Sequence, residues 1–312
     1  MKRYEKAAVG LGLGLLLSAG VGAAACIHTT KKAMTRLNGP WPKEWRESAD
    51  LLDAQVELLD AHYQPEHVQV TSIDGLTLRG RLYAPPGANR LAVCIHGYHC
   101  DSSLNFGELM LYYLQNGWQV LLIDQRSHGK SDGTMIGFGT LERYDVLRWL
   151  ELCTERLGPD CPIILHGVSM GAATALLTTD LPLPAQVRGV VADCGYTNTR
   201  DQFDHVMRRR LGPLIKPVLC LADLWARHNV GCGLRDCDTT DALKRAAVPV
   251  LFIHGDADTF VPPEMTELNY ESCTSFKMKY ICPGAVHGAS WHKDPSEYAN
   301  VLDSFFAAVM PQ

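Results

Sequence analysis

A serine between two glycines stands where the sequence predicts a sharp turn from a strand into a helix. The segment His166-Gly167-Val168-Ser169-Met170-Gly171 follows an apolar run typical of a buried strand and precedes small residues and leucines typical of a buried helix. A serine at such a turn has a strained backbone and presents its hydroxyl to a reacting group. Gly167 and Gly171 let strand and helix approach each other, and the helix N-terminus favours negative charge beside the hydroxyl. The pattern predicts nucleophilic catalysis by Ser169.

A serine hydroxyl becomes a useful nucleophile when a neutral imidazole can take its proton and a carboxylate orients that imidazole. Ligands of open parallel sheets bind beyond the carboxyl ends of the strands, so the residues after each predicted strand are the candidates. Asp258 lies in His254-Gly255-Asp256-Ala257-Asp258 after one apolar run, and His287 lies in a glycine-bounded segment after the last run. Ser169, Asp258 and His287 therefore follow three predicted strands in chain order.

The elements that must position these residues are read from continuously apolar runs, which are typical of strands buried on both faces. Such runs occupy residues 91–95, 120–123, 163–165, 187–192 and 250–253, and a last strand is predicted at 277–281. Helices are predicted between and after them, at 106–114, 140–157, 171–179, 242–246 and 295–309. Residues 67–83 alternate around Asp74-Gly75 and predict a hairpin. The alternation predicts an α/β fold with a mostly parallel central sheet and helices on both faces.

Taken together, these motifs resemble the α/β-hydrolase superfamily, in particular its serine-hydrolase branch of monoacylglycerol-lipase-like and aminopeptidase-like members. The pattern is most similar to the bacterial, membrane-anchored Bem46-like hydrolases. The resemblance covers about residues 68–310 and rests on H-G-Y at 96–98, D-x-R-x-H-G-x-S at 124–131, G-x-S-M-G at 167–171, H-G-x-x-D-x-x-V-P at 254–262 and G-x-x-H-G at 284–288. It implies that Ser169 is the nucleophile, Asp258 the acid and His287 the base. It also implies an oxyanion hole from the backbone N–H groups of Tyr98 and Met170, with no metal or organic cofactor.

Three residues are rivals for these roles. His292 lies close to His287 in sequence, and Asp256 shares the segment of Asp258. Asp193, at the end of the preceding predicted strand, is a more distant candidate for the acid. The resembled H-G-x-x-D-x-x-V-P motif favours Asp258, and the position of His287 after the last strand favours that histidine.

Residues 195–239 interrupt the alternation of strands and helices. They number about 45 where a crossover needs far fewer, and functional lids are a common reason for such an excess. One apolar face is predicted at helical spacings of four, three and four, and it consists of Leu214, Val218, Leu221 and Trp225. We expect this lid to cover the catalytic residues, with that face either lining an acyl pocket or only packing on the domain.

Residues 7–27 form an uncharged run after Lys2, Arg3 and Lys6. A helix of this length spans about 31 Å, close to the hydrocarbon thickness of a bilayer. An uncleaved membrane anchor is the favoured interpretation, with the catalytic domain on the outer face. The alternatives are a signal peptide cleaved near Ala23-Ala24-Ala25 and a lipoprotein signal ending at Cys26. Residues 28–65 are expected to form a linker with an amphipathic helix, on which Trp45, Ala49, Leu52, Val56 and Leu59 make the apolar stripe.

Composition narrows the function classes. A net charge of −5 with no basic stripe disfavours nucleic acid as a partner. The eleven cysteines are an odd number for a disulfide framework, and Cys232 with Cys237 has no second pair to complete a zinc site. The favoured function is hydrolysis of carboxylic esters or thioesters of a small-molecule acyl substrate. Peptide or amide hydrolysis is the alternative within enzymes, and a non-catalytic binding protein is the alternative from another class.

Overall fold

An eight-stranded sheet forms the centre of the computed structural model, which describes residues 24–36 and 54–310 except the side chains of residues 103 and 104. Its strands are β1 (Glu66–Thr71), β2 (Thr77–Tyr83), β3 (Arg90–Ile95), β4 (Trp118–Ile123), β5 (Ile163–Val168), β6 (Val187–Asp193), β7 (Val250–Gly255) and β8 (Lys277–Cys282). They lie in the order β1-β2-β4-β3-β5-β6-β7-β8. Within this sheet β2 alone runs against its neighbours, and every pair from β4 to β8 is parallel. The predicted hairpin and the predicted mostly parallel sheet are confirmed.

Helices cover both faces of the sheet. They are α1 (24–34), α2 (54–63), α3 (Ser102–Phe106), α4 (Leu109–Gln115), α5 (Glu142–Leu157), α6 (Met170–Thr178), α7 (Thr199–Leu211), α8 (Ile215–Asn229), α9 (Thr239–Leu243), α10 (Pro263–Ser272), α11 (Ser290–Lys293) and α12 (Pro295–Val309). Strand β3 shows why helices are needed on both faces of the sheet, since all five residues at 91–95 are fully buried. Its alternate side chains belong to two separate apolar clusters, one containing α5 and α6 and the other containing α4 and α12.

Two of the predicted helices differ clearly in their bounds from the helices of the structure, and two further helices were not predicted. The helix predicted at 106–114 is two helices, α3 and α4, which end and begin on either side of Gly107-Glu108. The helix predicted at 242–246 begins earlier, because the Asp238 side chain accepts a hydrogen bond from Thr240 N and caps α9. The sequence analysis did not predict α10 or α11.

The predicted lid consists of α7, a 3₁₀ turn at Gly212–Leu214 and α8. Its buried face was predicted one residue too early. The side chains of α8 that turn inwards are Ile215, Leu219, Ala222 and Ala226, whereas Leu214 is 65% exposed. Both sets repeat at spacings of four, three and four, so the spacing on which the prediction rested does not distinguish them. The small side chains of Ala222 and Ala226 let α8 pack closely on the domain.

Only part of the predicted N-terminal architecture falls within the described chain. Residues 7–23 of the expected anchor lie outside it, as do Trp45, Ala49 and Leu52 of the predicted stripe. Val56 and Leu59 are buried on α2, as the stripe requires. In the described chain no helix has the length and apolar character needed to cross a membrane. Residues 24–27 belong to α1, so the boundary expected after residue 27 falls inside a helix.

The cysteines are all free thiols. Eight are buried, Cys100 and Cys237 are half-buried, and Cys220 on α8 is exposed. Burial raises the pKa of the buried thiols Cys153 and Cys232 to about 12, so these groups remain protonated and unreactive. The pair Cys232 and Cys237 forms no disulfide.

Candidate active site

Ser169 lies on the turn between β5 and α6 with φ +56°, a left-handed conformation that non-glycine residues rarely adopt. The flanking glycines are required by space. A Cβ at Gly167 would lie 2.2 Å from the carbonyl oxygen of Gly171, and a Cβ at Gly171 would lie 1.9 Å from that of Ile95. The turn can therefore be this tight only with glycine at both positions.

Ser169, His287 and Asp258 form one hydrogen-bonded chain. The Ser169 hydroxyl donates to His287 Nε2 across 2.9 Å, and His287 Nδ1–H donates to Asp258 Oδ2 across 2.7 Å. His287 follows β8 and its side chain is 26% exposed, whereas the Asp258 side chain after β7 is fully buried. A serine next to an imidazole that a buried carboxylate orients can lose its proton as it attacks.

Asp258 is held as a carboxylate by several donors. Its Oδ1 accepts from the backbone N–H groups of Phe260 and Val261, at 2.8 and 3.0 Å. Its Oδ2 accepts from His254 Nε2 at 3.2 Å as well as from His287. Burial alone would raise the pKa of Asp258, but the hydrogen bonds from His254 and His287 outweigh it and hold the pKa below its ordinary value. Asp258 therefore carries the negative charge that a protonated His287 needs beside it.

The three rival residues have other partners. His292 Nδ1 lies 3.1 Å from Glu108 Oε2 on the surface, and Asp256 Oδ1 accepts from Gly284 N at 2.6 Å. Asp193 is buried beside the site, where it accepts hydrogen bonds from Ser290 and Tyr298. None of these contacts joins the chain that begins at Ser169.

The backbone N–H groups of Tyr98 and Met170 are the candidates for an oxyanion hole. Met170 begins α6, so its N–H is one of the donors that a helix leaves without a partner in its first turn. Tyr98 follows β3, and in the described chain neither its N–H nor that of Met170 donates to another protein group. The N–H of Gly97, by contrast, is occupied by Asn105 Oδ1 at 2.6 Å. Met170 and Tyr98 therefore offer two donors to an oxygen that gains negative charge.

Sequence reasoning missed two residues that support this arrangement. His254 donates from Nε2 to both Asp258 Oδ2 and the Val261 carbonyl, while its Nδ1 lies 2.7 Å from the Thr266 hydroxyl. Asn105 fixes the peptide before Tyr98 through Gly97 and had no signal in the sequence.

A cavity of about 290 Å³ leads to Ser169 and Met170. Most of its walls are apolar or aromatic, including Phe138, Leu219 and Ala222. Of the four lid residues expected to line an acyl pocket, the structure places Val218 in the wall but not Leu214, Leu221 or Trp225. The corrected inward face of α8 explains the difference, because the cavity follows Leu219 and Ala222. The N-terminal helix α1 also contributes wall residues, which the sequence analysis did not anticipate.

One group in the described chain has the donors to hold a metal ion, namely Cys194, Asp258 and His287. Their possible ligand atoms lie within 4.8 Å of one another. Burial raises the pKa of the Cys194 thiol well above its ordinary value, so the thiol keeps the proton that a metal ligand must lose. Asp258 and His287 are already bonded to each other. The donor set fits a hydrogen-bonded acid and base better than a metal site.

Comparisons with known proteins agree with the fold. Residues 87–228 match the model of the family described as serine aminopeptidase, S33. The YqkD protein of Bacillus subtilis is 28% identical over 76% of this chain and 77% of its own length. Protein bem46 of Schizosaccharomyces pombe is 23% identical over 88% of this chain and 81% of its own length. The Pyrococcus furiosus esterase Pf2001 superposes with a TM-score of 0.67 at 19% identity, covering 88% of this chain and 97% of that one.

The mostly parallel sheet and the turn that carries Ser169 after the central strand β5 are features of the α/β-hydrolase fold. The chain has this fold, and its similarity to a hydrolase family supports a hydrolase.

Proposed function

We propose that this hydrolase cleaves carboxylic esters or thioesters through an acyl-enzyme formed on Ser169. The observation that carries the proposal is the unbroken chain from the Ser169 hydroxyl through His287 to Asp258, with distances of 2.9 and 2.7 Å. Both distances lie in the range required of a nucleophile, a base and the group that orients the base.

In the first half of the reaction, the Ser169 oxygen attacks the substrate carbonyl carbon while its proton passes to His287 Nε2. The carbonyl oxygen becomes an oxyanion, which accepts hydrogen bonds from the N–H groups of Tyr98 and Met170. Loss of one such donor typically costs roughly 3–4 kcal/mol of transition-state stabilisation. His287 then gives its proton to the leaving alcohol or thiol, and an acyl group remains on Ser169.

In the second half, His287 takes a proton from water as the water oxygen attacks the acyl carbon. The bond from that carbon to the Ser169 oxygen then breaks, His287 returns the proton to this oxygen, and the acid is released. Asp258 stays ionised throughout and stabilises the imidazolium that forms in each half. Its pKa, held below the ordinary value by its hydrogen bonds, suits this role.

The apolar wall beside Ser169 supports an acyl substrate. A hydrocarbon chain in this cavity would be removed from water, with about 0.8 kcal/mol gained per buried methylene. The structural similarity to the Pyrococcus furiosus esterase Pf2001 adds support for ester substrates.

Amide or peptide hydrolysis is the second candidate, because the matching family is described as serine aminopeptidase. The same serine, histidine and carboxylate arrangement cleaves both bond types. Turnover of p-nitrophenyl esters compared with aminoacyl p-nitroanilides separates the two candidates.

Labelling by a fluorophosphonate probe tests the proposal directly. The wild-type protein should become covalently labelled and lose esterase activity, and Ser169→Ala should abolish both. Ser290→Ala is a matched control, since Ser290 is buried near the site but bonds Asp193 instead of His287. A wild-type protein that is neither labelled nor active on esters would favour a non-catalytic binding function.

We also propose that the apolar run attaches the protein to a membrane, with the catalytic domain on the outer face. The proposal rests on the uncharged run at residues 7–27, of which residues 24–27 belong to α1. The full-length protein should sediment with membranes and resist extraction with alkaline carbonate. Recovery in the soluble fraction, or a mature N-terminus at Cys26 or later, would contradict attachment through this run.

A further inference from the structure

The N-terminal helix α1 is tied closely to the catalytic domain. Its buried side chains Cys26, Thr30 and Met34 recur every four residues, which places them on one face. Met34 belongs to the same apolar cluster as the inward face of α8, and the Cys26 thiol donates to the carbonyl of Val218 across 3.3 Å. Helix α1 therefore packs against the lid.

The residues after α1 are held just as firmly. Thr35 forms a β-bridge with Met135, and Ile136 N donates to the Met34 carbonyl at 2.9 Å. The Arg36 guanidinium donates to the carbonyls of Ser131 and Gly129. These bonds at residues 34–36 join the end of α1 to the chain segment that follows β4.

Helix α1 also touches the residue that offers an oxyanion donor. The Tyr98 hydroxyl donates to the Ala33 carbonyl across 2.7 Å, and the Tyr98 ring stacks on His99 and on Phe138. Tyr98 is thereby fixed from its side chain by α1 and from its backbone by Asn105 through Gly97. This contact brings α1 next to the catalytic residues.

From these contacts we infer that α1 is a specificity-determining wall of the acyl pocket, with Thr29 and Ala33 limiting the length of acyl chain that the enzyme accepts. Both residues line the cavity that reaches Ser169, and they lie four residues apart on one face of α1. The inference rests on the proposed ester or thioester hydrolysis and adds to it the element that selects among acyl groups.

The size of the cavity makes the effect measurable. At about 290 Å³ it is small for a ligand pocket, so a few added side-chain atoms occupy a substantial part of it. Each methylene that the pocket holds contributes about 0.8 kcal/mol, which corresponds to about fourfold in kcat/KM. A variant that displaces two methylenes of substrate should therefore lose about 15-fold on the longer ester.

The experiment measures kcat/KM on p-nitrophenyl esters from acetate to palmitate. Ala33→Phe should spare acetate and lower the values for the longest accepted esters by about 15-fold or more. Thr29→Ala removes two side-chain atoms and should shift the optimum to longer chains. Lys32→Phe is the matched control, because Lys32 is an exposed residue of α1 that does not line the cavity. Its profile should equal that of the wild type.

The outcomes separate this inference from the function on which it rests. A wild-type protein inactive on every ester and unlabelled by fluorophosphonate overturns both. An active wild type whose length profile is unchanged in Ala33→Phe and Thr29→Ala overturns only the role of α1. An equal loss on acetate and on long esters also overturns that role, since it would mean that α1 merely braces the site. If Ala33→Phe fails to fold, the shift in Thr29→Ala alone decides the question.

Discussion

His287 and His292 are the same residue type five positions apart, yet their surroundings differ. His287 lies between the Ser169 hydroxyl and the buried Asp258, whereas His292 faces Glu108 at the surface. A general base must be within hydrogen-bond reach of the proton that it removes. Of these two histidines, only His287 meets this condition.

His287→Ala should therefore lower kcat by roughly 10⁴-fold or more, and His292→Ala should leave it within about twofold. Steady-state ester hydrolysis measures both, with circular dichroism as the check on folding. Comparable losses in the two variants would remove His287 from its assigned role.

Asp258→Asn should lower kcat by about 10⁴-fold, because an amide can hold the imidazole in the wrong tautomer. It should also destabilise the fold. The carboxylate oxygens accept four hydrogen bonds, and in asparagine an NH₂ group, which donates, replaces one of these two oxygens. We expect a cost of roughly 1–3 kcal/mol at pH 7. Asp256→Asn is the control, and a larger loss of activity there would assign the acid role to Asp256.

The stability cost of Asp258→Asn should depend on pH. The folded-state pKa of Asp258 lies below the unfolded value of about 3.9, so its carboxylate stabilises the fold fully above that value. This contribution to stability is lost as the pH falls below the pKa of Asp258 in the unfolded state and approaches its pKa in the folded state. Urea unfolding of wild type and Asp258→Asn at pH 7, 5, 4 and 3 should show the difference shrinking below about pH 4. A difference that grows on acidification would contradict the lowered pKa.

The catalytic candidates could be predicted because each follows a predicted strand, and parallel strands bring their carboxyl ends to one edge of the sheet. This placement did not separate Asp258 from Asp256, and the resembled motif was needed to favour Asp258. The supporting contacts of His254 and Asn105 could not be found in this way. They depend on the side-chain conformations of His254 at the end of β7 and of Asn105 in α3, which hydrophobic periodicity does not specify.

At the scale of elements, the lid shows where periodicity is ambiguous. Helix α8 carries two apolar stripes one residue apart, and its spacing alone does not decide which of them faces the domain. The structure turns the stripe with two alanines inwards, where small side chains let α8 pack closely. The sheet strands posed no such problem, since those buried on both faces have no polar side to assign.

Two leucines of the lid distinguish the stripes. Leu219 is 2% exposed, so Leu219→Ala should cost about 2–5 kcal/mol of unfolding free energy. Leu214 is 65% exposed, so Leu214→Ala should stay within about 0.5 kcal/mol of wild type. Urea denaturation followed by tryptophan fluorescence measures both. The opposite ranking would restore the face predicted from the sequence.

At the scale of the whole molecule, the N-terminal segment belongs with the catalytic domain and not with a free linker. Residues 24–36 contact the lid, the loop after β4 and Tyr98. The sequence predicted a linker at residues 28–65, whereas the buried face of α1 includes Cys26 and Thr30, which are not strongly hydrophobic. Its place in the fold is determined by tertiary contacts.

Because the thiols differ in burial, their rates of chemical modification can report how easily different parts of the molecule open. Ellman's reagent should modify the exposed Cys220 first and the half-buried Cys100 and Cys237 more slowly. The eight buried thiols can react only when the segment around each one opens, so their rates report local opening free energies without any added label. The modification rate of Cys26 would report the separation of α1 from the lid, and the modification rate of Cys94 in β3 would report opening of the sheet.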